Sequence, residues 1–249
     1  MLNAPLLIIY PNKIKKLTLP KIMDTLFFLM LPILGVIMYF VMVRKNAFEE
    51  RLALYRPQHQ LSQKREDYLK GVHKFRLWII GIAIVMFTAP LLIFFIVMLQ
   101  EAGIRAALYS FFPNEMITLV IYLIVFLVYW LLSYVFKRNE KALRMLVEQM
   151  SDSDFDLLLK VKDYLSLDNR YSPPFVLCNH QLYLFLFYTI REIDPAKITD
   201  MKCNWGWGRS RNSVFVRVKL SKKTIGIVMP EKAFSYFQRV VEKYAKLKF

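Results

Sequence analysis

His180 comes closest to chemistry in this chain. It sits in Asn179-His180-Gln181. An imidazole works as a base when a carboxylate orients it, and acyl-transfer enzymes of membranes place that carboxylate five residues on. Here that position is Phe185, so the residue that would make the motif chemical is missing. His59 and His73 have no Cys, Asp or Glu cluster at ligand spacing, which argues against a metal. Asp152, Asp154 and Asp156 alternate as at the start of a calcium loop. The glycine at the sixth position and the glutamate at the twelfth are absent, and a helix cap at Ser151 is the better reading. Cys178 and Cys203 lack CxxC spacing and read as free, buried thiols. There is no glycine-rich phosphate loop and no GxSxG. The expectation is a protein that is not an enzyme and uses no cofactor or metal.

A second kind of site is a contact surface. Trp205-Gly206-Trp207-Gly208-Arg209-Ser210-Arg211 sets two indoles and two guanidinium groups on a glycine-rich stretch. Indoles favour the headgroup level of a membrane and basic side chains favour its anionic lipids. Trp205, Trp207, Arg209 and Arg211 are therefore candidate membrane or partner contacts. A hairpin tip folded back on its own sheet is the structural alternative.

What positions these residues follows from hydropathy. The 249 residues are 56% hydrophobic. Residues 25–43, 77–99 and 116–136 contain no Asp, Glu, Lys, Arg or His. About 20 apolar residues in a helix cross a ~30 Å hydrocarbon layer. The three runs are thus expected to be transmembrane α-helices. None carries an ionisable group of the kind that proton-coupled transport uses. The first run lacks a cleavage site and reads as a retained anchor.

The formal charge of +16 is placed unevenly. Segment 44–76 holds nine Lys and Arg, the tail 137–249 holds 21, and the connection 100–115 holds only Arg105. Basic residues mark the cytoplasmic side. The expectation is a multi-pass protein of a bacterial inner membrane, with its N-terminus outside and its C-terminus cytoplasmic. The charge is read as a match to membrane lipids rather than to nucleic acid.

Beyond the third run, 137–169 reads as a helical connector. Ala142, Leu143, Leu146, Val147 and Met150 fall at helical spacing, and Ser151 caps a second short helix to about Leu167. After Pro173-Pro174 the period becomes two. Strands are expected at Phe175–Cys178, Leu182–Tyr188, Ile198–Cys203, Val214–Leu220 and Ile225–Met229, followed by a helix from Pro230. The expected fold is three transmembrane helices and then a cytoplasmic α+β domain, 170–249, of antiparallel sheet plus C-terminal helix.

This order resembles bacterial pleckstrin-homology-like domains of the YcxB-like type. The similarity lies in Asn179–Tyr183, in Ile193–Met201 and in the strand-to-helix junction Ile227–Phe234. The resemblance implies a fold and not an activity. In size, run count and lack of catalytic motifs the whole chain is similar to three-pass immunity proteins against colicin-like, pore-forming type VI secretion effectors. That likeness implies binding a pore-forming toxin within the inner membrane, and it assigns no residue. The other function weighed is a membrane-anchored lipid- or partner-binding protein in envelope stress or signalling.

Overall fold

The computed structural model describes residues 32–43, 45–57, 60–111, 115–165, 170–205, 213–221 and 223–245. Among the described residues six helices and six strands follow one another, with a single 3-10 turn at Pro195–Lys197. Helix α1 is Pro32–Val43, its last turns Tyr39–Val43 of the wider π type. Helix α2 is Ala47–Leu54, α3 Gln63–Phe111, α4 Glu115–Gln149 and α5 Asp152–Tyr164. Strands β1 Phe175–Cys178, β2 Gln181–Phe185 and β3 Ile190–Ile193 form one antiparallel sheet. Strands β4 Ile198–Trp205, β5 Ser213–Leu220 and β6 Thr224–Pro230 form a second, and α6 Glu231–Ala245 ends the described chain.

Short-range signals set the helix starts. Asn46 accepts the Glu49 N–H at 2.8 Å while the Glu49 carboxylate accepts the Asn46 N–H at 3.2 Å, a reciprocal cap for α2. Ser151 Oγ accepts the Asp154 N–H at 3.2 Å and starts α5. Helix α3 is interrupted at Gly103, whose φ of 79° lies where glycine is favoured.

α3 and α4 run antiparallel. Arg65 donates to the carbonyls of Val147 and Met150, at 2.7 and 2.9 Å, while His73 meets Glu140 at 3.0 Å further along. The chain leaves along α3 and returns along α4. Gly71 of α3 makes room for the segment that precedes β1: a Cβ there would come within 2.3 Å of the Tyr171 ring.

Two cores share the first sheet. Phe175, Leu177, Leu182 and Leu184 join Val214, Val216, Val218, Phe237 and Val241 between the sheets and α6. The alternate residues Val176, Cys178 and Tyr183, with Ile190, face the other way. They pack with Phe48, Leu52, Tyr68, Val72, Leu143, Leu146 and Phe155 from α2, α3, α4 and α5. Period-two alternation sends neighbouring side chains to opposite faces, so β1 and the middle of β2, buried on both faces, are apolar throughout, while β3 carries Arg191 and Glu192. That sheet welds the helical layer to the tail.

The expectation of three transmembrane helices is corrected. Among the described residues one helix, the Gln63–Ala89 part of α3, is long and apolar enough to cross a membrane. An uncharged run is not by itself a spanning helix. The described part of the first run, Pro32–Val43, is a short apolar helix rising only ~18 Å. Residues 25–31 lie outside the described residues. The run 116–136 falls within α4, where Leu131 and Val135 are buried against Val41 of α1. A smaller correction concerns the expected strand 182–188. It stops at Phe185, because the backbone reverses between Leu186 and Thr189, which exchange hydrogen bonds at 3.0 and 3.3 Å, and the chain returns as an unexpected further strand, β3.

Candidate functional site

The residues singled out for chemistry are dispersed. Asn179 and His180 are the corner of the β1–β2 hairpin, with φ of 49° and 64°. Asn is suited to this left-handed turn, and its side chain donates to the Gln149 carbonyl at 2.9 Å. His180 Nδ1 lies 3.2 Å from the Tyr244 hydroxyl. Cys178 is buried beneath the hairpin. Burial, with Asp154 adding to it, pushes its thiol up to about 11, so it stays protonated near neutrality. Burial also raises the Cys203 thiol. Asp152 pairs with Arg65 at 2.8 Å, and Asp154 accepts the Asn179 N–H at 3.0 Å. His73 and Arg76 both meet Glu140 across the α3–α4 pair. His59 lies outside the described residues. Among the described residues no three His, Cys, Asp or Glu side chains converge as metal ligands.

Of the four contact candidates only Trp205 is described. It ends β4 with 60% of its surface exposed and meets the Phe234 ring edge-on at 5.7 Å. Trp207, Arg209 and Arg211 lie outside the described residues.

The structure brings together a group that the spacing of residues did not show. Glu49 of α2 and Arg138 of α4 are buried, with 6% and 8% exposure, and their charged atoms lie 3.5 Å apart. Arg138 donates to the carbonyls of Phe187 and Tyr188 at 3.0 and 3.1 Å. Glu49 accepts the Ile190 N–H at 3.2 Å. The Asn46 amide donates to Thr189 Oγ1 at 3.0 Å and to the Ile190 carbonyl at 2.6 Å. Two helices therefore grip the β2–β3 turn through charge-assisted hydrogen bonds. Burial lowers the Arg138 pKa and Glu49 opposes the shift; an arginine starts high enough to remain charged. The only sequence signal for this joint was the Asn46…Glu49 capping pair. Arg138 looked like one of many basic residues at the end of an apolar run.

The joint marks a level. On one side, Val36, Tyr39, Phe40 and Val43 of α1, Leu77, Trp78, Val85 and Met86 of α3, and Phe126 and Trp130 of α4 are exposed apolar side chains. Next along these helices come Lys45 after α1 and Arg76 before the apolar stretch of α3, with the two cores beyond. The arrangement offers a contact surface: exposed apolar helix faces joined through the second core to a basic, folded tail. No family model matches the chain, and no curated protein or solved structure matches it.

Proposed function

We propose that the chain is a non-enzymatic inner-membrane protein that recognises an inserted polypeptide, and that it serves as an immunity protein neutralising a pore-forming toxin. One observation carries this reading. The apolar stretch of α3 is left almost wholly uncovered by the rest of the chain, with Leu77, Trp78, Val85, Met86, Leu92 and Ile93 exposed. In a bilayer such a surface meets lipid or another apolar helix, and helix pairing there depends on van der Waals fit. The joint at Glu49 and Arg138 supports the reading, because it holds the helical layer rigidly on the tail. The basic segment 44–76 and the tail, which share the second core, take the cytoplasmic side, as their charge predicts.

The test is protection. A sensitive bacterium expressing the chain should keep its membrane potential when a matched pore-forming toxin reaches the periplasm. Leu92→Arg should abolish protection, since a charge at mid-membrane costs ~2.5–3.5 kcal/mol on insertion scales. Membrane levels are measured in parallel. Equal loss of potential with and without the chain, at normal membrane levels, rejects the proposal.

A second reading, a membrane-anchored module whose tail binds lipid or a cytosolic partner, is favoured by the exposed indole of Trp205 on the edge of β4. Binding of the full chain's tail surface to anionic vesicles should then fall in Trp205→Ala.

A further inference from the structure

A cavity of about 530 Å³ opens beside the joint, between α1 and the β2–β3 turn. Its apolar lining is Val36, Ile37 and Phe40 from α1 and Phe187 and Tyr188 from the turn. Its two charged lining residues are Lys45 and Arg191, both cationic. Among the described residues neither cation has an ion-pair partner. Of the acids on the adjoining elements, Glu49 pairs with Arg138 and Glu192 with Arg51, while Glu50 of α2 is exposed and pairs with neither Lys45 nor Arg191. Asn46 and Thr189, which also line the cavity, satisfy each other at 3.0 Å. What stays open is a pair of positive donors beside an apolar wall. The cavity lies where α1 gives way to Lys45, at the level where exposed apolar side chains end.

We infer that this cavity holds one anionic phospholipid, its phosphate between Lys45 and Arg191 and the first part of its chains along Val36, Phe40 and Phe187. Several features select that occupant. A free phosphate has no use for the apolar wall. A neutral or zwitterionic lipid leaves two cations without full compensation. A water-soluble anion would not be concentrated at this level, whereas the inner leaflet supplies anionic headgroups there. The volume falls within the usual range for a ligand pocket. The inference rests on the chain being membrane-anchored but not on toxin binding. A lipid in this place would brace α1 against the β2–β3 turn, the element that Asn46, Glu49 and Arg138 already hold.

The experiment uses the full chain in nanodiscs of equal phosphatidylglycerol and phosphatidylcholine, released into the gas phase for native mass spectrometry. The expected result is one retained phosphatidylglycerol, preferred about tenfold or more, as two basic groups at a headgroup imply. Lys45→Gln with Arg191→Gln should bring the preference near one. Val36→Trp, which fills the apolar part, should lower retention of phosphatidylglycerol while both cations remain. Lys64→Gln with Lys74→Gln removes equal charge elsewhere and should leave the preference intact. Equal retention of both lipids by the wild type overturns the inference. So does an unchanged preference in a Lys45/Arg191 variant that melts like the wild type. Full retention in Val36→Trp, or an equal loss in the Lys64/Lys74 variant, overturns it as well. Protection against a toxin is a separate readout, and its failure leaves this measurement unaffected.

Discussion

Glu49 and Arg138 come from helices on either side of the long α3 excursion and meet as a buried ion pair, 3.5 Å apart, over the β2–β3 turn. Two charges removed from water need each other and their hydrogen bonds, and removing one strands the other. The pair therefore acts less as a source of stability than as a lock on one arrangement of helices and sheet.

Arg138→Met should destabilise the protein by ~3–5 kcal/mol, because Glu49 is left charged and buried. The double variant Arg138→Met with Glu49→Gln should recover much of that loss. Thermal melting of the two single variants and the double variant gives the coupling directly. Additive losses would mean that the two side chains do not interact.

Alkaline pH should weaken the fold from about pH 9 upward. Burial holds the Cys178 thiol protonated up to about 11, and burial together with Glu192 raises the Tyr183 hydroxyl. In the unfolded chain these groups lose their protons earlier, so the native state binds more protons in that window and stability falls as pH rises. The Cys178 contribution is of the order of 2–3 kcal/mol across the window. Melting temperature measured from pH 8 to 10.5 should fall less steeply in Cys178→Ala. Alkylation of native Cys178 at pH 8 should be slow. An alkylation rate equal to that of a free thiol would reverse the assignment.

Gly71 is where α3 and the Tyr171 ring come closest. That ring is held by Tyr68, Phe75 and Lys162 and has little room to retreat. Gly71→Ala should cost ~1–3 kcal/mol by overpacking, against the usual helix preference for alanine. Adding Tyr171→Leu should relieve most of it. A stabilised Gly71→Ala would show that the ring moves freely.

Strand β5 and helix α6 were legible because their apolar positions follow a clean period, and β1 and β6 because short apolar runs lie between turn or cap residues. Val214, Val216 and Val218 read inward from sequence alone, and they are buried. β3 was not legible. Leu182–Tyr188 is apolar throughout, Leu182–Leu184 because β2 is buried on both faces and Phe187 and Tyr188 although they are exposed in the turn, and nothing in such a run marks where the backbone reverses. The count of membrane-crossing helices was overread for a related reason. Residues 25–43 and 116–136 lack charges, but a lack of charge does not separate a lipid-facing helix from one packed on its own chain, as Val41, Leu131 and Val135 show. The joint was hidden most deeply. A long-range pair such as Glu49 and Arg138 leaves no periodic trace, and each residue has an ordinary local explanation.

The second core also decides how membrane and tail can be tested apart. Cutting the chain after Met150 would remove Val176, Cys178, Tyr183 and Ile190 from the core that holds α2, α3 and α4. Such a fragment should lose protease resistance in its α3–α4 base. A fragment of residues 1–150 as resistant as the full chain would show that the helical layer stands without the sheet.

Helix α3 offers the sharpest check on membrane insertion, because one element carries both environments. Asp67 and Val85 are exposed residues of the same helix, about 27 Å apart along its axis. Asp67 lies among charged neighbours beside the second core, and Val85 lies in the uncovered apolar stretch. In a Cys203→Ser background, where Cys178 is buried, Asp67→Cys in intact membranes should react with a water-soluble maleimide presented on the cytoplasmic side. Val85→Cys should not react until detergent removes the lipid, since a thiol in hydrocarbon is out of the reagent's reach and its thiolate is strongly disfavoured there. In detergent micelles a lipid-soluble reagent should label Val85→Cys readily. Prompt labelling of Val85→Cys by the aqueous reagent in intact membranes would place α3 in water, and the uncovered apolar surface would then have to be buried by a soluble partner.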